Sequence, residues 1–242
     1  MMQRIGLLVF AVSLSFLAVG GCNGGSGGGG GGNGPCPETN TSIAVCDPDA
    51  GPFSLVIDNG FFPLVVGTET VLEGEDDEGT ELRIEITVLD ETEVVAGVTT
   101  RVVEEAEFED GEVVEISRNF YAQAPDGTVC YFGEDVDDFE DGVVVSHDGE
   151  WRAGEDGNLP GIIMPADPQV GDIFQQEAAP GIAEDQAEVV ALGEVIDVPA
   201  GIFSDTVSTL DCNPLEDGAM DEKVYVFGIG LAIDEDAELT EF

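Results

Sequence analysis

Residues 81–90 read Glu81-Leu82-Arg83-Ile84-Glu85-Ile86-Thr87-Val88-Leu89-Asp90, ELRIEITVLD. Leu82, Ile84, Ile86 and Val88 fall at every second position, with Glu81, Arg83, Glu85 and Thr87 between them. A period of two sends alternate side chains to opposite faces, so this stretch is a half-buried strand and not a helix.

Turn signals recur on the C-terminal side: Ala96-Gly97, Glu109-Asp110-Gly111, Pro125-Asp126-Gly127, Glu140-Asp141-Gly142 and His147-Asp148-Gly149. Asp-Gly accepts the positive φ that tight hairpins require. Between these turns lie VTTRVVEEAEF, EVVEISRNFYAQ, TVCYFGED and GVVVSH, rich in the β-branched and aromatic residues that suit strands. The pattern predicts an antiparallel meander. A more irregular stretch follows, with prolines at 160, 165, 168 and 180, read as loops and one short strand near Asp172 to Gln176. Strands resume with AEVVALGEVIDV, IFSDTVSTLD and EKVYVFGIGLAIDED. No helical period is sustained anywhere in the 242 residues. The expectation is an all-β fold with one acidic domain over residues 52–242, a meander forming a strongly curved sheet or partly closed barrel.

Asp and Glu number 52 against 6 Lys and Arg, a net charge of −46. Nucleic acid and anionic lipid surfaces would repel such a chain, because affinity there comes from basic side chains neutralising phosphates. The charge also strains the compact state by self-repulsion. Salt shortens its reach to about 10 Å at about 0.1 M and about 3 Å at about 1 M. The acids read first as the solvated face of an exported protein from a marine or salt-loving bacterium. Two dense runs, Asp47-Pro48-Asp49-Ala50-Gly51 and Glu134 to Asp141, offer oxygen ligands for Ca²⁺ on expected loops, although neither follows the EF-hand order.

The N-terminus has the organisation of an export signal. Ile5 to Val19 is an uncharged apolar run of 15 residues, shorter than the roughly 20 needed to span a bilayer. Val19-Gly20-Gly21-Cys22 closes it and resembles the lipobox of bacterial lipoproteins. The resemblance implies a signal peptide over residues 1–21 and diacylglycerol, with its palmitate-like chains, on the thiol of Cys22. Two buried acyl chains hold a protein stably where one holds it marginally. Asn23, standing where Asp would signal inner-membrane retention, leans towards the outer membrane of a cell envelope. Gly24 to Gly34 has almost no side chains to bury and reads as a tether of roughly 20 Å. Residues 22–51 are therefore expected to form the lipidated Cys, the tether and a disulfide loop.

Cys36, Cys46, Cys130 and Cys212 remain, an even number in an exported chain, and allow three connectivities. The expected pairs are Cys36–Cys46, a local loop, and Cys130–Cys212. Zinc fits poorly, since the paired two-residue spacing is missing and the chain has 1 His.

The folded part also resembles an uncharacterised family of bacterial secreted and lipid-anchored β proteins. The resemblance rests on Asp58-Asn59-Gly60-Phe61-Phe62-Pro63-Leu64-Val65-Val66-Gly67-Thr68, then Gly161-Ile162-Ile163-Met164-Pro165-Ala166, Val198-Pro199-Ala200-Gly201-Ile202-Phe203 and Gly228-Ile229-Gly230-Leu231, in that order. It implies a fold and no activity. Physically, Phe61 to Leu64 would plug one end of the sheet, Val198 to Gly201 would turn a corner, and Gly228 and Gly230 would mark a bulge or a close backbone approach.

No nucleophile elbow, zinc motif or cofactor fingerprint is present, and His147 belongs to a turn. The reading is a non-enzymatic, lipid-anchored envelope protein whose acidic β domain binds a partner or ligand. Its rivals are a carrier of an apolar ligand in a half-barrel cleft and an envelope hydrolase using an acid pair or His147.

Overall fold

The computed structural model of the protein describes residues 36–216 and 219–242. The expected signal segment, Cys22 and the glycine tether lie outside the described residues. Five strands run in succession, β1 (Glu69–Glu75), β2 (Glu81–Val95), β3 (Val98–Glu109), β4 (Glu112–Gln123) and β5 (Val129–Glu140), of which β2 to β5 are the predicted meander. Asp110-Gly111 and Asp141-Gly142 turn with φ of 49°, 79°, 51° and 72°. Positive φ at both central residues matches the right-handed twist of the flanking strands.

Three short strands share the outer edge of β5: β6 (Val143–Ser146), β7 (Trp151–Arg152) and β8 (Gly161–Met164). The chain continues through β9 (Ile173–Gln175), β10 (Gln186–Leu192), the separate hairpin β11 (Ile196–Val198) and β12 (Gly201–Phe203), then β13 (Thr206–Asn213), β14 (Ala219–Val226), β15 (Gly230–Asp234) and β16 (Ala237–Glu241). β16 pairs with β1, so the last strand of the chain joins the first, and the principal sheet has 14 strands, all antiparallel. The hairpin β11–β12 turns at Pro199-Ala200, the corner expected there. Its Val198 joins Leu72, Val226, Ala232 and Leu239 in one apolar cluster, while Phe120, Phe132, Phe174 and Trp151 belong to a larger one.

The sheet curls until β8 and β9 approach at a seam, crossed by the isolated bridge Leu159–Ala178, without a continuous ladder closing it. Gly161 lies at this seam. A Cβ there would stand 2.0 Å from the Gln176 carbonyl oxygen, so only glycine permits the approach.

The N-terminal segment crosses the same seam as a strap, and this overturns the expected disulfide pairing. Cys36 bonds Cys212 at the end of β13, and Cys46 bonds Cys130 on β5. Between them Asn40 and Thr41 donate their backbone N–H groups to the Ile173 carbonyl on β9, and a short 3₁₀ helix, Ile43–Cys46, packs on β8. The chain from 36 to 46 is thus laid out from β13 across the seam to β5, which carries Cys36 away from Cys46 and delivers each to a distant partner. Sequence separations of 176 and 84 make both bridges long-range.

Three local expectations also change. Glu134 to Asp141 is no acidic loop: it is the second half of β5 and the start of its turn. Residues 161–164, read among the loops, form β8, because the free edge of β5 supplies a partner that local pattern does not reveal. EKVYVFGIGLAIDED is two strands, split by a turn at Phe227-Gly228-Ile229 where Gly228 has φ 79°.

Candidate functional site

The inner face of the curled sheet forms a cavity of about 330 Å³ that is partly open to solvent. Leu82, Ile84, Ile86 and Val88, the apolar face of β2, form one wall of it. On the neighbouring strand, Glu105 stands opposite Ile86 and Glu107 opposite Ile84. On β4, Glu115 stands opposite Glu107. The lining therefore changes from aliphatic to anionic within one strand spacing, about 4.8 Å.

Phe62, Pro63 and Leu64 line the cavity, while Phe61, the first residue of the expected plug, packs edge-on against Phe227. Phe62 lies 5.2 Å from Tyr121 and 6.3 Å from Tyr225 between ring centroids, and Tyr121 stacks on Tyr131 at 4.8 Å. The Asn59 carboxamide holds this segment in place. Its oxygen accepts from the backbone N–H groups of Phe61 and Phe62, and its nitrogen donates to the Gly127 and Pro165 carbonyls.

Glu134, Glu177, Asp185, Asp211 and Asp234 extend the acidic lining. Burial pushes the Glu105 and Glu115 carboxyls up to about 7; Asp234 adds to the effect at Glu105, and Asp138, Glu105 and Glu177 add to it at Glu115. Glu107 rises well above the usual range through burial and then the facing Glu115 and Glu105. Burial likewise lifts Asp185 to about 8 and Asp211 to about 6. Glu134 and Glu177 are neighbours, and burial, followed at Glu134 by the charge of Glu177, pushes both carboxyls up. Glu115 and Asp211 are buried, whereas Glu105, Glu107, Glu134, Glu177 and Asp185 stay partly exposed through the void.

Lys223 is the ammonium inside. Its Nζ donates to Asp234 Oδ2 at 3.0 Å. Burial works against its charge, but Asp234, Asp211, Tyr225 and Glu105 outweigh it and hold the lysine charged. Asp211 in turn accepts from Gln176 Nε2 at 3.1 Å and Thr209 Oγ1 at 2.8 Å.

Polar groups in the lining remain without partners. Tyr121 and Tyr225, 7% and 3% exposed, line the cavity, and among the described residues neither hydroxyl forms a hydrogen bond. Tyr131 differs, donating to Asn119 Oδ1. The carboxylates of Glu105, Glu107 and Glu115 also lack hydrogen-bond donors among the described residues.

His147 and Asp47, singled out from sequence, lie elsewhere. His147 is on the outer side of β5, its side chain 62% exposed, with Nδ1 2.7 Å from the Val136 carbonyl oxygen and 3.0 Å from Asp137 Oδ1. Asp47 caps the 3₁₀ turn Pro48–Ala50, its Oδ1 accepting from the Asp49 N–H at 2.8 Å. Of the expected Ca²⁺ run, Glu134 points to the cavity while Asp135 pairs with Arg152 at 2.6 Å. Among the described residues no group of three or more His, Cys, Asp or Glu is placed to hold a metal ion.

Sequence reasoning missed the acidic interior. The signal was present in VTTRVVEEAEF, where a period of two puts Val103, Glu105 and Glu107 on one face. Glu104 on the other face obscures it. Compared with protein-family models, with curated proteins and with solved structures, the chain matches none.

Proposed function

We propose that the protein is a lipid-anchored envelope binding protein that holds a small ligand inside its curled sheet. The carrying observation is the cavity itself: a void of about 330 Å³, the size range of a small-molecule site, lined by polar groups without protein partners. A buried polar atom left unpaired costs about 1–3 kcal/mol, so a lining of this kind is favoured by an occupant that satisfies it. The two long-range disulfides fit an oxidising, exported compartment, in keeping with the lipobox resemblance at Cys22. A hydrolytic use would draw on the Glu134–Glu177 pair.

Native mass spectrometry of the full-length protein, extracted from envelopes, tests this reading. The expected spectrum shows a diacylglyceryl mass lost in Cys22→Ala and a small-molecule mass lost in Thr70→Phe, which fills the cavity from β1. An unmodified Cys22 overturns the anchor. A ligand load unchanged in Thr70→Phe overturns the cavity as the binding site.

A further inference from the structure

The chemistry of the lining narrows what the cavity takes, and this inference rests on the cavity being a binding site. Glu107 and Glu115 face each other across β3 and β4, an arrangement of like charges that weakens a sheet unless something between them compensates. Glu105 completes the group two residues along the same face of β3. None of the three receives a hydrogen bond from the described protein. On the Glu105 side of this group, Tyr121 and Tyr225 present free hydroxyls and ring faces, and Phe62 packs near both rings. Aromatic faces near carboxylates attract a cation through the ring quadrupole. The aliphatic wall of β2 asks for an apolar body on the same ligand.

We propose that the cavity is a site for an organic cation, an amine with an apolar body. Its ammonium lies between the facing Glu107 and Glu115, with Glu105 flanking them towards the body, which lies against Phe62, Tyr121, Tyr225 and the aliphatic face of β2. Lys223 already shows the mode inside the molecule: an ammonium on a four-carbon stem, charged in this interior because Asp234 and its neighbours hold it. A bare metal ion fits less well, since no three ligating groups converge among the described residues.

The groups facing this site from other elements are Glu134 and Asp138 on β5, Glu177 after β9, Lys223 on β14 and Asp234 on β15. Carboxyls lifted to about 7 are largely neutral at about pH 5 and mostly ionised at about pH 8. Amine binding should therefore strengthen as pH rises across that range.

Calorimetric titration of the full-length protein in detergent tests the inference with four probes: phenethylamine, 2-phenylethanol, 3-phenylpropanoate and Ca²⁺ alone. At about pH 8 the amine should bind about tenfold or more tightly than the alcohol, and the carboxylate should not bind. Glu105→Gln/Glu115→Gln should lower amine affinity about tenfold while leaving alcohol binding unchanged, with folding checked by circular dichroism. Equal affinity for amine and alcohol, both lost in Thr70→Phe, overturns the cation class and leaves the cavity as a binding site. Heat from no probe overturns both readings. Ca²⁺ displacing the amine at lower concentration, or amine affinity unchanged in the double variant, overturns the organic-cation site.

Discussion

Strands β2 and β3 are neighbours in register, and both face the cavity, yet they present it with opposite chemistries: Ile84 beside Glu107, Ile86 beside Glu105. On β2 the inner face is apolar and the outer face carries Glu81, Arg83 and Glu85, so burial and composition agree. On β3 acids occur on both faces, because Glu104 alternates with Glu105. Alternation therefore reports orientation only where the two faces differ in polarity. Where they do not, the curl of the sheet alone decides which carboxylates meet water and which meet one another.

The comparison breaks most severely on its apolar side. Leu72 of β1, fully buried opposite Ile84, belongs to the cluster against which Ile84 and Ile86 pack. Leu72→Ala should destabilise by about 2–5 kcal/mol through lost transfer energy and the void left behind, read as a shifted denaturant midpoint. The loss should be the same at about pH 5.5 and at about pH 8, since no titrating group is removed. A loss that depended on pH would mean the two walls are not separable.

The acidic wall should respond to pH instead. Its carboxyls have folded-state values of about 7 for Glu105 and Glu115 and about 8 for Asp185, above their ordinary values. A group raised in this way binds its proton more tightly when folded, so stability rises as pH falls from about 8 and levels off near the unfolded values, about 4. The melting midpoint at about pH 5.5 should exceed that at about pH 8 by roughly 5 °C or more, and Glu105→Gln/Glu115→Gln should flatten the slope. A midpoint that falls on acidification would contradict the burial of these groups.

Salt sharpens the distinction by acting mainly outside. Screening at about 1 M relieves repulsion among exposed acids, a smaller gain of a few degrees, and buried pairs are screened much less. The increment should therefore be equal in the wild type and in the double variant. An increment halved by the two interior substitutions would show that the cavity is open to bulk ions.

How much of this was legible depended on the range of the determining contact. The meander from β2 to β5 and its Asp-Gly turns are set by near neighbours: period-two alternation, β-branched side chains and residues that accept positive φ. The short strand near 172–176 and the corner at 198–201 were equally local, and both are present as β9 and β11–β12. Phe61 to Leu64 was legible as a packed apolar run, but that Phe62 to Leu64 line a cavity depends on the curl of the sheet. The strand β8 was hidden, since GIIM becomes a strand only beside the free edge of β5.

By itself, the sequence determined the all-β class, the single acidic domain, the hairpin turns and the presence of four cysteines suited to oxidation. Tertiary structure alone decided which cysteines meet, that residues 36–46 strap the seam, and that Glu105, Glu107 and Glu115 look inward. The reason is physical. Strand pattern fixes alternate faces over a few residues, whereas curling the sheet through 14 strands chooses which face becomes the inside.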